Sequence, residues 1–228
     1  MSAGPGRVLA VSGMRFEARI AAGSGVDTLY GHRDAALARA LDEKLGQGYA
    51  GVISFGVAGG LDPTLPPGTV IVATGVRAGA ESFVADPFWT AALRRALPQA
   101  VAGLLAGSDT AVTTVAAKLA LHGAHGALAV DMESHIAARV AQAHRVPFAA
   151  LRVVVDPADR PVPPLAVAGM AADGSTDIGA IIIGLLKGPH HLGGLLRLGR
   201  DAAAARRALQ AARLALGEGF ALPAPALA

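Results

Sequence analysis

The chain contains no cysteine, which excludes disulfides and thiolate metal sites and leaves the redox compartment unread. Aromatic residues make up only 4% of its 228 residues. Stacking platforms for nucleic acid are therefore scarce, and no nucleic-acid fold signature accompanies them. Long apolar runs are also missing. The longest late one, GAIIIGLLKG over 179–188, falls far short of the roughly 20 residues a spanning helix needs. The N-terminal MSAGPGRVLAVSG has no charged segment leading into a long apolar stretch and a cleavage site, so a soluble cytoplasmic protein is expected. His122 with His125, and His190 with His191, lack a third ligand at a useful spacing, and no metal site is expected.

What is present suits one well-buried α/β domain spanning 1–228. Hydrophobic residues form 53% of the chain, and 228 residues would make two domains cramped. The net charge of +3 is unevenly spread. From Lys187 onward there are six bases (Lys187, Arg197, Arg200, Arg206, Arg207, Arg213) against two acids (Asp201, Glu218), so a basic helical segment is expected at about 187–217. Such a segment fits an acidic partner, an anionic membrane surface, or simply a solvated helix face.

Apolar patterning predicts strands at RVLAVSG (7–13), GVISFGVAGG (51–60), TVIVATGV (69–76), AVAGLLAG (100–107), GALAVD (126–131) and FAALRVVVD (148–156), with a weaker one at DTLYG. Helical spacing predicts helices at 33–45, 86–97, 113–123, 134–144, 175–188 and 196–216. The second of these has Asp86 as its N-cap and Pro87 in its first turn. LDPTLPPG (61–68) and PADRPVPP (157–164) are loops, because their prolines cannot sustain regular structure. Strands alternating with helices imply a central mixed, twisted sheet with substantial parallel pairing, flanked by helices.

Polar residues interrupt this pattern at three strand ends: Glu17 after the first strand, Glu133 after GALAVD, and Asp156 closing FAALRVVV. Ligands of α/β sheets bind outside the carboxyl ends of strands, so these acids can converge on one crevice. Each also has a plainer reading: Glu17 as a solvated first-turn acid, Glu133 as a helix N-terminal acid, and Asp156 as a cap before Pro157. Asp131 is read as an acid near the helix N-terminus. FGVAGG has no following lysine and does not open a helix, so it is no phosphate loop; it offers close backbone approach and amide donors.

In order along the chain, SGMRFEARI, GVAGGLDPTLPPGTVIVA, AVDMESHIAARVA and PFAALRVVVDPAD resemble the nucleoside phosphorylase and nucleosidase family. That family includes purine nucleoside phosphorylases and methylthioadenosine/S-adenosylhomocysteine nucleosidases. The compact N-terminal part, VDMESH and LRVVVDPADR are further similar to the hopanoid-associated phosphorylases, implicated in removing adenine from adenosylhopane. The resemblance covers roughly residues 7–160.

Breaking an N-glycosidic bond puts positive charge on the ribose and negative charge on the base, so it calls for an acid at the base and anionic stabilisation at the sugar. The resemblance implies Asp156 as the acid at adenine N7 and Glu17 as the residue that orients or deprotonates water. It implies Glu133 as acceptor for the ribose hydroxyls, Met132 as a wall on the sugar face, and Arg152 as a holder of the acids or the sugar. Met14, Val57, Ala58, Gly59, Thr110 and Val112 complete the implied substrate contacts.

The chain departs from the family pattern in several places. Only Ala18 to Tyr30 lie between the first strand's acid and GHRDAAL, which opens the wall beside the ribose 5′ side. Val57 and Val155 stand where the family usually has serine, and Thr110-Ala111-Val112 replaces a base-stacking aromatic, leaving Phe83 or Trp89 to be borrowed. These changes suit a large 5′ substituent. No cofactor is implied, although a phosphorylase would use inorganic phosphate as co-substrate. Arg15, Arg19 and Arg33 lie near the right segments for phosphate, but a carboxylate at Glu17 suits water better than a phosphate dianion.

Three alternatives stay open: a phosphate-dependent purine nucleoside phosphorylase, a methylthioadenosine/S-adenosylhomocysteine nucleosidase, and a catalytically silent binder of nucleosides or lipids on the same scaffold. A lipid-linked substrate would give IIIGLLKGPHHLGGLLRLGRD (181–201) a role at a membrane surface. The resemblance also implies a homo-oligomer, with a dimer favoured.

Overall fold

The computed structural model of the protein describes residues 6–162 and 192–224. The strands are β1 (Val8–Ser12), β2 (Val26–Tyr30), β3 (Gly51–Gly60), β4 (Val70–Ala78), β5 (Glu81–Val84), β6 (Val101–Gly107), β7 (Ala129–Asp131) and β8 (Phe148–Asp156). The helices are α1 (Arg15–Ala21), α2 (Asp34–Leu45), α3 (Pro87–Ala96), α4 (Val115–His125), α5 (Ser134–Ala143) and α6 (Leu192–Ala215). The helix expected at 175–188 lies outside the described residues, as does most of the 181–201 segment. Among the described residues, no helix is long and apolar enough to cross a membrane.

β1 shows why these runs become buried strands. Leu9 and Val11 pack with α2 and α5, while Val8 and Ala10 pack with α3 and α6, so both faces of the strand are covered. It pairs in parallel with β2 on one side and β3 on the other. From β3 onward the sheet is more than an open layer. β3 pairs with β8, β8 with β4, β4 with β6, β6 with β7, and β7 returns to β3, so five strands close a ring. The β3–β7 and β4–β8 pairs are antiparallel and the other three parallel, which gives the expected mixed sheet. β5 hangs on β4 as a short antiparallel edge.

Helix ends follow local chemistry. Asp86 caps α3 by accepting from the Trp89 amide at 2.8 Å, with Pro87 at the first position. Thr114 caps α4 in the same way through the Ala117 amide at 3.2 Å, and Gly126, at φ 63°, closes that helix in the left-handed region. α6 presents Ala205, Leu209 and Ala212 to the sheet at helical spacing, and Leu216 just past its end joins them. Its arginines face outward, except that Arg213 donates to the Ala21 carbonyl at 2.8 Å and lies over the Phe220 ring. Much of the basic tail is thus a solvated face on a helix whose apolar side is spent on the core.

Candidate active site

The middle of β3 and the end of β7 with the turn after it meet around Arg152, itself in the middle of β8. This guanidinium, 1% exposed, lies on β8 and faces acids from two other elements. It pairs with Asp131 and Glu133, each at 3.2 Å. It also donates to Ser54 Oγ at 2.6 Å and to the Val57 carbonyl at 3.2 Å. Asp131 does act as the acid at the α5 N-terminus, accepting from the Glu133 and Ser134 amides at 2.9 and 2.7 Å. It also accepts from Ser134 Oγ at 2.6 Å, so its second role, as counter-ion of Arg152, was not visible in the sequence.

Glu17 is drawn into the same cluster from α1. It is buried, contrary to the solvated first-turn reading, because its two oxygens accept from the Met14 and Val57 amides, each at 2.7 Å. The first bond reaches back to the residue capping its own helix. Two glycines make room for these carboxylates. A Cβ at Gly56 would lie 2.5 Å from Glu17 Oε1 and 2.7 Å from Arg152 Nη1, and one at Gly13 would lie 2.6 Å from Glu133 Oε1. A side chain at either position would displace the charged cluster.

One buried cation facing three carboxylates cannot balance them all, and the exposed Arg33 adds only a smaller pull on Glu133. Burial raises Glu17 to about 7, with Glu133 adding repulsion and Arg152 opposing both. Burial raises Glu133 also, again against Arg152. Near neutral pH, Glu17 therefore passes between its protonated and ionised forms, as suits a group that takes a proton from water. The linkage has a definite sign. The folded state holds the Glu17 proton more tightly than the unfolded state, so the associated stability is present below the ordinary value of 4.5 and is lost as pH rises through about 7. Between pH 5 and 8.5, wild type should lose about 2 kcal/mol of unfolding free energy relative to Glu17→Gln. Urea titrations of the two proteins across that range check this; parallel curves would contradict it.

Asp156 stands apart from the Arg152 cluster. A register shift between β3 and β8 at Ala58/Gly59 skips Val155 and pairs Gly59 with Asp156, a bulge that re-aims the side chain at the strand end. Its Oδ2 accepts from Lys118 Nζ at 2.5 Å and lies 3.3 Å from where a Gly59 Cβ would be. Burial raises the Asp156 carboxyl from its ordinary value, and Lys118 pulls against that rise.

The remaining expected residues divide between the two groups. Met14 and Val57 serve the Glu17 cluster through their amides, Gly59 borders Asp156, and Ala58 points into the core. Met132 is half-buried between Asp131 and Glu133. Thr110 is exposed and Val112 half-buried on the loop after β6. That loop is tied to the Arg152 cluster by the Ser108 amide, which donates to the Asp131 carbonyl at 3.0 Å, and to the segment after Asp156 by the Val162 amide, which donates to the Thr113 carbonyl at 2.9 Å. The aromatics proposed as replacements for a stacking ring are core residues instead. Trp89 is fully buried with its Nε1 on the Phe220 carbonyl at 2.8 Å, and Phe83 packs in the core beneath Arg139.

Sequence reasoning passed over Ser54, Ser134 and Lys118. The signal for Lys118 was present: it is the lone charge in VAAKLAL, an otherwise apolar helical stretch.

The model of the phosphorylase superfamily matches residues 7–187. No curated protein matches the chain. Among solved structures, the chain is similar in fold to S-adenosylhomocysteine nucleosidase from Streptococcus pyogenes in complex with 5-methylthiotubericidin (TM-score 0.66, 15% identity, covering 94% of this chain and 98% of that one). It is also similar to a Helicobacter pylori methylthioadenosine/S-adenosylhomocysteine nucleosidase mutant with 5′-methylthioadenosine in its active site (TM-score 0.63, 17% identity, covering 91% and 97%). A third similar structure is futalosine hydrolase of Helicobacter pylori (TM-score 0.59, 18% identity, covering 66% and 88%).

Proposed function

Because the chain belongs to the phosphorylase superfamily, we propose that it is a purine nucleosidase that uses water to release adenine from an adenosine with a large 5′ substituent, adenosylhopane giving ribosylhopane. The observation that carries the choice of water is the buried cluster itself. Its one buried guanidinium, Arg152, is held by Asp131 and Glu133; Arg15, Arg19 and Arg33 are exposed, and the charge of Arg33 already answers Glu133. A phosphate dianion placed beside Glu17 and Glu133 would be repelled, whereas water beside Glu17 finds a base. The names of the similar structures, two nucleosidases and a hydrolase, support the same reading.

In this reading Glu133 accepts hydrogen bonds from the ribose hydroxyls, Met132 packs against the sugar, and Asp156 gives a proton to adenine N7 as the C1′–N9 bond breaks. Glu17 takes the proton of the water that attacks C1′. β3 acts as the ruler between the two ends: Gly56 borders Glu17 and Gly59 borders Asp156, roughly 10 Å apart along a strand, a span on the scale of one nucleoside. In the same reading, the short connection between Ala21 and Val26 is what gives a large group room on the 5′ side.

The experiment compares kcat/KM for adenine release from adenosylhopane, adenosine and methylthioadenosine. Adenosylhopane should lead by about tenfold or more, the worth of one or two well-placed apolar contacts. Preference for methylthioadenosine would overturn the assignment of the 5′ group. Peripheral membrane contact belongs to the same reading, since Leu196 and Leu214 of α6 are 61% and 83% exposed; flotation with anionic liposomes tests it, and a protein that stays at the bottom of the gradient contradicts it.

A further inference from the structure

Lys118 is an unusual residue to find inside a protein. It sits on α4, is 0% exposed, and satisfies its ammonium completely: Nζ donates to Asp156 Oδ2 at 2.5 Å, to the Pro157 carbonyl at 2.8 Å and to the Arg160 carbonyl at 3.0 Å. An ammonium has three donors, and all three are taken. Burying that charge costs several kcal/mol unless an anion answers it, and the anion here is Asp156. Val155, its neighbour in the chain, has no group with which to orient the carboxylate. Among the described residues, Lys118 is the one side chain that bonds the Asp156 carboxylate, at Oδ2; beyond it the carboxylate has its own backbone amide, and no other side chain holds Oδ1.

We propose that Lys118 is a positioning residue for Asp156: it holds Oδ2, turns Oδ1 towards the purine, and keeps the carboxyl ionised in the free enzyme, so that Asp156 takes up its proton from solvent as the purine binds. This rests on the nucleosidase reading above. The proton enters at Oδ1, passes to N7 as the C1′–N9 bonding pair moves to the base, and Asp156 returns to its ion pair. The proton that Glu17 takes from the attacking water goes back to solvent, so one water is consumed and no net proton is gained.

The other charged groups around Asp156 compensate one another. On α6, Asp201 raises the Asp156 carboxyl but is itself paired with Arg160 at 3.0 Å, and Arg160 also neighbours Asp159 at 3.7 Å. β3 carries no charged side chain, β4 none before Arg77, and on β7 Asp131 is committed to Arg152. His122, one turn along α4 from Lys118, is turned to the Ala127 carbonyl at 2.8 Å. Lys118 is thus the one cation in direct contact with the acid among the described residues.

The test is the pH dependence of kcat/KM for adenine release by wild type, Lys118→Met and Lys118→Arg, with melting temperature measured alongside. The alkaline limb, where Asp156 gives up its proton, should move up by about one pH unit or more in Lys118→Met, the scale of an adjacent opposite charge, and should stay in place in Lys118→Arg. A folded Lys118→Met with the wild-type limb would show a merely structural lysine and overturn the proposal. A wild type that releases no adenine would overturn both this proposal and the nucleosidase reading, whereas an unshifted limb counts against Lys118 alone.

A second measurement does not depend on the folding of Lys118→Met. Calorimetry of wild type with a carbocyclic adenosine analogue, which keeps N7 as an acceptor but lacks the ring oxygen that assists cleavage, is run at pH 8 in two buffers of different ionisation enthalpy. About one proton should be taken up per analogue bound in wild type and none in Asp156→Asn, as expected when an ionised acid must be protonated to meet an acceptor. No uptake in wild type would overturn the proposal.

Discussion

Asp156→Asn should lower kcat for adenine release by about 10²–10⁴-fold, the range that a positioned general acid supplies. The amide has the size of the carboxyl, and its oxygen can still accept from Lys118 Nζ, which donates to Asp156 Oδ2 in the wild type. Its NH2 can still offer a hydrogen bond to N7, so binding survives. What is lost is a proton that can be given away when the base departs, which is why the loss falls on kcat and not on KM. Lys118 also exchanges a charged partner for a neutral one, which lowers stability, so assays belong well below the variant's melting temperature. Single-turnover adenine release from saturated enzyme checks the prediction; a rate within tenfold of wild type would remove Asp156 from the chemistry.

Arg152→Met should cost about 3–5 kcal/mol of unfolding free energy at pH 7, the usual consequence of deleting one partner of a buried ion pair. The guanidinium faces Asp131, Glu133 and Glu17, and all four groups are buried. Without it, Asp131 and Glu133 keep only hydrogen bonds to hold a charge that has left water. The deficit should shrink as pH falls, because protonating the acids removes the charge that Arg152 had answered; the raised values of Glu133 and Glu17 put the start of that recovery above the ordinary carboxylate range. Arg152→Lys should recover only part of the loss, since an ammonium cannot reproduce the fork that spans Ser54, Asp131, Glu133 and the Val57 carbonyl. Urea unfolding at pH 5 and pH 7 measures both effects. A deficit below 1 kcal/mol at pH 7 would contradict the hub role.

Local chemistry made much of the fold legible. The buried runs of β1, β3 and β8 are continuous in β-rich residues, and Asp86-Pro87 marks the start of α3 by capping chemistry. Long-range pairing was not legible. β5 has only four residues, two of them polar, and exists because the turn after β4 folds it back along that strand. The ring closes through β7, which forms only the last three residues of the strand expected at 126–131, and through an antiparallel β4–β8 pair; no local pattern announces these pairings.

The site shows the same division. Glu17, Glu133 and Asp156 could be named because they follow or close apolar strands at the carboxyl ends, whereas Arg152 was named only through the family resemblance. Their grouping could not. The structure ties Glu17, Glu133 and Arg152 into one cluster and gives Asp156 a separate partner. Lys118 escaped notice because a helical lysine is ordinarily solvated. Its burial depends on where α4 meets the loop after β8, a contact between residues nearly forty positions apart.

The most direct test of the account is adenine release from a 5′-substituted adenosine by dialysed enzyme, followed chromatographically in buffer free of phosphate and again with phosphate added. The buried carboxylates around Arg152 predict adenine at the same rate in both, with the free sugar as co-product. No adenine in either buffer, or adenine only when inorganic phosphate is supplied and a ribose 1-phosphate accumulates, would contradict it.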